Sequence, residues 1–410
     1  MSALLRVLCL DIEGGFGGSS RSLFESIRHM DRSAVSVEIW CRRDGPVVPR
    51  YRALGVACRV VPAMAHYSAL PQFSRNLAAL AHYVRSFAAS RAFRRELASE
   101  TNARFDRVHF NHEALFLLAR WLRPRTRAPF IAHVRTNTLP SPFARWQART
   151  LARATDAVAF ITRNEEATFR SHGAKPRLAR IIHNIATVPN AGATGQTGKS
   201  DTEKLTAGNS DDWINDARLR IACLSNYSYA RGLDRLLDIA EELRAQGRSD
   251  VLFVVAGRMA LTRSLPGLLG KIGRRGGTLA DAAEARGLGG YFRFLGHIED
   301  PDRVLALCAA LIKPTREANP WGRDVIEALA AGRAVLSCGT DSTFVETGVT
   351  GYLQERFDAA AMAREIMRLA DDRESLRRMG EMGKARVASL CDGPARARDL
   401  LDLWREAARP

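Results

Sequence analysis

The sequence predicts an α/β protein built of two doubly wound parallel sheets joined by a polar segment. Three observations lead there. Short apolar runs recur along the chain with helical patterns between them, which is how a parallel sheet with crossover helices reads. The alternation stops once, from about Ala186 to Asp212, in a stretch of Gly, Ala, Thr, Asn, Ser and Asp, and then restarts. And 410 residues are enough for two or three domains with a core each.

In the first half, VLCL (7–10) leads into the glycine-rich EGGFGGSSRS and a helix from about Ser19 to Met30. SVEIW (36–40), CRVVP (58–62), FDRVHFN (105–111), PFIAHV (129–134), AVAFIT (157–162) and ARIIHN (179–184) come next as strands. Phe73, Leu77, Leu80, Val84 and Phe87 recur at steps of three and four, the spacing of an amphipathic helix. Arg75 and Arg85 decorate it, and Arg91, Arg94 and Arg95 come after it. The tract AGATGQTGKSDTEKLTAGNSDD reads as a flexible linker or insert. Beyond it, RIACLS (220–225), VLFVVAG (251–257), FRFLG (292–296), ALIKP (310–314) and AVLSC (334–338) make a second set of strands. The division expected is a domain over 1–185, a linker over 186–218, a second domain over 219–395 and a last helix over 396–410. That helix, DLLDLWREAA (Asp399–Ala408), has an apolar face.

Charge is divided unevenly. The formal net charge is +17, and residues 1–185 hold 29 Lys and Arg against 13 Asp and Glu, a net of +16. Residues 186–410 hold 32 against 31. The second half balances a similar Arg content with acids, so an Arg-rich composition alone does not account for the asymmetry. A basic half concentrates anionic partners near it. The seven Cys are scattered, odd in number and without a C-x-x-C pair, which suggests neither a disulfide framework nor a zinc site and favours a reducing compartment. No apolar run approaches the roughly 20 residues that span a bilayer, and Met1–Leu10 reads as a first strand rather than a signal peptide.

The most informative segment is Arg316–Gly332, REANPWGRDVIEALAAG. A loop closed by Pro320 and Gly322 opens a helix near Arg323, which stops at Gly332, a residue suited to the left-handed turn past a helix end. Free N–H groups at the helix start favour a phosphate. Glu327, one turn in, places a carboxylate where it suits a pair of sugar hydroxyls. A surface helix with a solvated Glu has the same pattern, and the segment alone does not separate the two.

This segment resembles the group 1 (family 4) retaining glycosyltransferases with the GT-B fold. Their C-terminal halves carry an E-x7-E loop and helix, then A-x-G and a short strand. Glu327 matches the second Glu, and Ala328–Val335 (ALAAGRAV) matches the A-x-G and the start of the strand. Glu346–Leu353 (ETGVTGYL) is similar to the family's E-x-G-x-T-G-x-L segment, FRFLGHIED (Phe292–Asp300) to its strand and loop beside the base, and LFVVAGR (Leu252–Arg258) to the preceding strand. Several motifs in the right order are far more specific than one. Two departures stand out. The first Glu of E-x7-E falls on Asn319, which donates and accepts hydrogen bonds but carries no charge. The family's R-x4-K pair falls on Asn226 and Arg231, so one cation is lost and the other kept as a planar fork.

The resemblance implies the GT-B architecture, two Rossmann-like domains facing a central cleft, with the final helix crossing back to the first domain. It implies a donor site of Gly17, Asn226, Arg231, Gly257, Arg258, Gly296, His297, Asn319, Pro320, Trp321, Gly322, Val325, Ile326 and Glu327, with His133, Asn319 and Arg231 as catalytic groups. The loop Gly14–Ser22, holding Gly17, lines the cleft in that family. It is not G-x-G-x-x-G, and no acid ends a second strand where a dinucleotide site needs one, so an oxidoreductase reading is weak; a plain turn is the alternative. His133 ends its strand on the side where such sheets bind ligands, and a polar residue at a loop start reads the same way. Trp321 is either the floor under the donor sugar or packed core, and Lys313 and Arg323 are either site cations or solvated. His297 and the backbone of Gly296 would meet the base.

No paired carboxylates suggest double displacement, and no His or Cys spacing suggests a metal. The family's chemistry is a front-face substitution in which the leaving diphosphate takes the acceptor's proton, resting on fixed electrostatics and orientation in a cleft closed by domain motion. The expectation is therefore a metal-independent, retaining glycosyltransferase with no cofactor beyond its nucleotide-sugar co-substrate. Its acceptor would be an anionic or lipid-linked glycan in polysaccharide or glycoconjugate assembly. It would be cytoplasmic, with the basic half and the Phe73–Phe87 helix on an anionic inner membrane face. Asn319 and Asn226 keep a second reading open, a catalytically silent nucleotide-sugar or glycan-binding protein of the same fold. A nucleic-acid binder ranks last, because no recognition motif or aromatic-basic interleave accompanies the charge.

Overall fold

The computed structural model describes residues 4–15, 18–66, 77–138, 140–186, 211–298 and 300–408. The chain divides into two compact units, one of Met1–Ile185 with Cys391–Pro410 and one of Ala186–Leu390. The polar tract at 187–210, Phe73, Arg75 and Gly17 lie outside the described residues.

The first unit runs β1 (Leu5–Asp11), α1 (Gly18–Arg28), β2 (Val35–Cys41), α2 (Val47–Ala53), β3 (Ala57–Val60), α3 (Leu77–Ala89), α4 (Arg91–Arg104), β4 (Arg107–Phe110), α5 (Phe116–Leu122), β5 (Phe130–Val134), α6 (Pro142–Ala154), β6 (Ala157–Phe160), α7 (Arg163–Ser171) and β7 (Leu178–Ile181). Its seven strands are parallel in the order β3-β2-β1-β4-β5-β6-β7. Alternate residues of β1 feed opposite faces. Leu8 and Leu10 join Phe110, Phe116 and Leu151 under α4 to α6, whereas Val7 and Cys9 join Leu23, Ile27 and Tyr51 under α1 and α2. The sheet is thus covered on both sides, as the unbroken apolar runs require.

The second unit runs β8 (Leu219–Leu224), α8 (Arg235–Ala245), β9 (Val251–Ala256), α9 (Gly267–Arg274), α10 (Leu279–Ala285), β10 (Phe292–Gly296), α11 (Pro301–Leu307), β11 (Ala310–Lys313), α12 (Arg323–Ala330), β12 (Ala334–Cys338), β13 (Gly351–Gln354), α13 (Ala359–Asp371) and α14 (Arg373–Leu390). Its six strands are parallel in the order β10-β9-β8-β11-β12-β13. β13 is the strand that apolar runs do not reveal. It forms because Gly351 lets the chain press against β12: a Cβ there would lie 1.8 Å from the Val335 carbonyl oxygen. The ETGVTGYL segment is the turn that delivers it, with the Thr350 hydroxyl donating to the Phe344 carbonyl at 2.8 Å and accepting from the Glu346 N–H at 2.9 Å.

The last helix is α15 (Gly393–Glu406), which begins three residues before the expected 396 because Asp392 caps it, accepting from the Ala395 N–H at 2.8 Å. It belongs to the first unit. Trp404 is fully buried and its indole N–H donates to His109 Nδ1 at 3.1 Å. Arg107 Nε donates to the Trp404 carbonyl at 2.7 Å, and Arg180 pairs with Glu406 at 2.7 Å.

Both strand orders reverse next to their first strand, between β1 and β4 and between β8 and β11. Loops leaving adjacent strands on the two sides of such a point diverge and open a crevice at the carboxyl ends. In the second unit those loops are Ser225–Asp234 and Pro314–Gly322, the segments that carry the sequence motifs.

Candidate functional site

The loop after β8 is stitched to the loop after β9. Gly257 sits at φ +133°, and a Cβ there would meet the Ser225 oxygen at 2.3 Å and the Asn226 nitrogen at 2.9 Å. The Asn226 Oδ1 accepts from the Arg258 N–H at 2.8 Å, and the Tyr227 N–H donates to the Arg258 carbonyl at 2.7 Å. The Gly257 N–H in turn reaches the Gly296 carbonyl at 2.6 Å, which adds the end of β10. Gly296 and His297 are exposed there. Arg231 folds back over its own loop, with Nη1 donating to Ser225 Oγ at 2.7 Å.

The loop after β11 is held from below. Arg316 forks onto Asp234 at 2.8 and 2.5 Å, donates to the Tyr229 carbonyl and stacks 4.0 Å over the Tyr229 ring. The carboxylate raises the Arg316 pKa against the lowering effect of its burial. Two residues on, Ala318 has φ +48°, a strained conformation for a residue with a Cβ. It swings Asn319 into place, with Oδ1 covered from solvent and without a hydrogen-bond partner among the described residues. Pro320 then packs on Gly339 at the end of β12.

Trp321 is 4% exposed and its ring packs 6.1 Å from that of Phe344, so it is core rather than an open floor for a ligand. Its carbonyl accepts from Lys313 Nζ at 2.5 Å, and Lys313 also faces Asp324 at 3.4 Å. Lys313 is therefore not a solvated cation but the tie that fixes the start of α12. Gly322, the N-cap, provides no side-chain cap. Val325 and Ile326 are fully buried, so only their backbone is available to the site, and the Ile326 N–H is used inside the helix on the Gly322 carbonyl. The Asp324 and Val325 N–H groups lack intrahelical partners by helix geometry. Glu327 lies one turn in, 12% exposed, paired with Arg323 at 3.3 Å. Gly332, at φ +72°, closes the helix: its N–H donates to the Leu329 carbonyl and the Arg333 N–H to the Ala328 carbonyl, both at 2.9 Å.

In the first unit, His133 ends β5 inside a buried polar cluster. Arg135 Nη2 meets His133 Nδ1 at 3.2 Å and Asn111 Oδ1 at 2.5 Å, and the Arg135 N–H donates to Glu113 at 3.0 Å. A guanidinium only donates, so His133 Nδ1 accepts and the proton sits on Nε2. The same logic applied to the Trp404 indole gives His109 a proton on Nε2. The two rings meet edge-on at 5.8 Å. Burial and the Arg135 charge lower both imidazole pKa values, His109 to about 3, so both rings are neutral donors. Their Nε2 atoms have no partner among the described residues. Asn111, Glu113 and Arg135 escape sequence reading because isolated polar residues after strands carry no motif. The signal available was their position at the carboxyl ends of β4 and β5.

Of the residues named from the sequence, the structure brings together Asn226, Gly257, Arg258 and Gly296 in one stitched corner, with Arg231 beside it, and Asn319 to Glu327 at the other side of the β8/β11 crevice. His133 stands in the other unit, with the basic surface. There Arg94 is only 8% exposed. Its guanidinium lies 3.8 Å from the Phe87 ring and 4.8 Å from the Trp121 ring and donates to the Phe87 carbonyl at 3.0 Å. It joins α3 to α4 and is not a surface charge, unlike its exposed neighbours Arg91 and Arg95. Among the described residues no cluster of His, Cys, Asp or Glu is placed to hold a metal, and no helix is long and apolar enough to cross a membrane.

Residues 211–386 match the family described as glycosyl transferases group 1, and residues 17–185 match the glycosyl transferase 4-like domain. Solved structures share the fold at low identity. HepE of Anabaena in complex with UDP is 17% identical with a TM-score of 0.70, covering 97% of this chain and 99% of its own. Sucrose-phosphate synthase of Thermosynechococcus elongatus is 18% identical with a TM-score of 0.70 over 98% of both chains. A glycosyltransferase of Rickettsia africae is 14% identical with a TM-score of 0.66, again over 98% of both. A comparison with curated proteins gives no match.

Proposed function

Since this chain belongs to the group 1 glycosyl transferases, we propose that it moves a sugar from a nucleoside-diphosphate sugar to a glycan or lipid-linked acceptor, with retention and without a metal. The observation that carries the reading is the β8/β11 crevice. An uncapped helix start and the carboxylate of Glu327 follow β11, and the cation of Arg231 follows β8, a set of groups that suits a diphosphate and a ribose. That HepE binds UDP in the same fold supports a nucleoside diphosphate as the constant part of the donor.

The bond from the anomeric carbon to the diphosphate oxygen breaks first. The helix amides and Arg231 hold the departing charge. The acceptor hydroxyl then bonds to the same face of the sugar, and its proton passes to the leaving phosphate oxygen. Asn319, aimed by the strained Ala318, is assigned to the sugar hydroxyls. Charge neutralisation by amides and guanidinium is what a metal would otherwise supply, and the proposal assigns no cofactor. The acceptor is assigned to the basic first unit, at the cytoplasmic face of a membrane.

Titration with UDP, GDP and ADP, and then turnover of the corresponding sugars, tests this. Binding of one nucleoside diphosphate and slow hydrolysis of its sugar are expected. Binding without hydrolysis or transfer would favour the silent sugar-nucleotide binder that Asn319 and Asn226 suggest. The membrane assignment has its own test. Arg91→Glu with Arg95→Glu is expected to lower flotation with anionic vesicles at low salt, as salt itself should for the native chain. Arg94→Glu instead places an acid between two rings and is expected to lower stability by about 1–3 kcal/mol. Native protein that ignores anionic vesicles would end the membrane assignment.

A further inference from the structure

The family's diphosphate pair has lost its first cation, because Asn226 stands there, and the structure assigns the replacement to Arg258. This rests on the crevice being a nucleoside-diphosphate site. Asn226 does not present its side-chain oxygen to a ligand; it holds the Arg258 N–H at 2.8 Å. The Arg258 carbonyl is held from the other side by the Tyr227 N–H at 2.7 Å. Gly257 brings the two loops so close that a Cβ would overlap Ser225 and Asn226. The root of the Arg258 side chain is therefore fixed against the residue whose charge is missing.

The charge balance around the crevice points the same way. Arg316 is neutralised by Asp234, and Lys313 by Asp324 and a carbonyl. Arg231 meets only a neutral hydroxyl, Ser225 Oγ. Arg258 is exposed, and among the described residues its guanidinium has no hydrogen-bond or ion-pair partner. Arg231 and Arg258, on the loops stitched together at Ser225 and Asn226, thus carry two guanidinium groups without a carboxylate. The second unit is otherwise close to electrically even, so this is a local excess that a diphosphate would compensate. Asn226 is then a positioning residue: it has exchanged its own charge for the hydrogen bond that sets Arg258.

Calorimetric titration of the full chain with UDP, GDP and ADP, and with the matching nucleoside, tests this. For the diphosphate that binds, Arg258→Ala is expected to lose about tenfold in affinity or more, as does removal of a charge-assisted contact elsewhere. The nucleoside should be unaffected, and the salt dependence of diphosphate binding should become shallower. Asn226→Ala should weaken the diphosphate in the native background and add little in the Arg258→Ala background, a coupling that general loop damage would not produce. Arg258→Lys should retain part of the affinity. Diphosphate affinity within twofold of native in a folded Arg258→Ala protein, with a clear loss in Arg231→Ala, overturns the assignment and leaves the nucleotide site standing. No binding of any nucleoside diphosphate by the native chain overturns the site and the assignment together.

Discussion

Replacing Trp404 by Ala is expected to destabilise the first unit by about 3–5 kcal/mol, the range for removing a large buried aromatic side chain. Trp404 is fully buried between α15 and the sheet, among Val7, Ile131 and Ala159. Its indole N–H also satisfies His109, a neutral ring inside the core. The substitution therefore opens a cavity and leaves a buried acceptor without its donor. Because α15 is held by side chains of the last residues of the chain, its detachment should accompany the loss. Trp404→Phe separates the two effects, since it keeps most of the ring and removes only the hydrogen bond, for about 1–3 kcal/mol. Denaturant midpoints of the three proteins check this. A midpoint for Trp404→Ala that corresponds to less than about 1 kcal/mol would mean that α15 contributes little to the first unit.

Glu327→Ala is the second large effect, and it is read in binding by the folded protein. A carboxylate on ribose hydroxyls contributes about 1.5–3 kcal/mol, so donor affinity or kcat/KM should fall at least ~10-fold. The side chain is paired with Arg323 on the preceding turn of the same helix. Both side chains are largely buried, so the variant also strips Arg323 of its carboxylate and some loss of melting temperature is expected beside the loss of binding. Arg323→Ala is the control: it removes the pair and leaves the carboxylate. Donor kinetics that are unchanged in folded Glu327→Ala protein, or a loss equally large in Arg323→Ala, would take Glu327 out of the ribose site.

The fold was largely legible because strand signals here are strong. Buried parallel strands need apolar residues on both faces, and twelve such runs read directly as β1 to β12. β13 escaped because GYLQ holds no run of apolar residues, and Gly351 lets it press against β12. The site was legible in part. Arg316–Gly332 announced its helix through Gly322 and Gly332, which act locally. The fates of Lys313, Trp321 and Arg94 were not legible, since whether a long side chain is solvated or buried depends on what packs over it. Arg94 and Arg95 are neighbours in sequence, yet one lies between two aromatic rings and the other in solvent.

The sequence by itself determined the α/β class, the order of strands along the chain, the helix that starts at Arg323 and the concentration of positive charge in residues 1–185. These come from local periodicity, turn chemistry and composition, which need no knowledge of distant contacts. Tertiary structure alone decided that the loops after β8 and β11 share one crevice, because strand order in a sheet is set by crossovers and not by sequence order. It also decided that Asn226 holds Arg258 across 32 positions, that Arg135 gives His133 its neutral tautomer, and that Trp404 closes on His109. Each is a hydrogen bond between groups whose encounter depends on the path of the whole chain, and no local pattern of residue types encodes it.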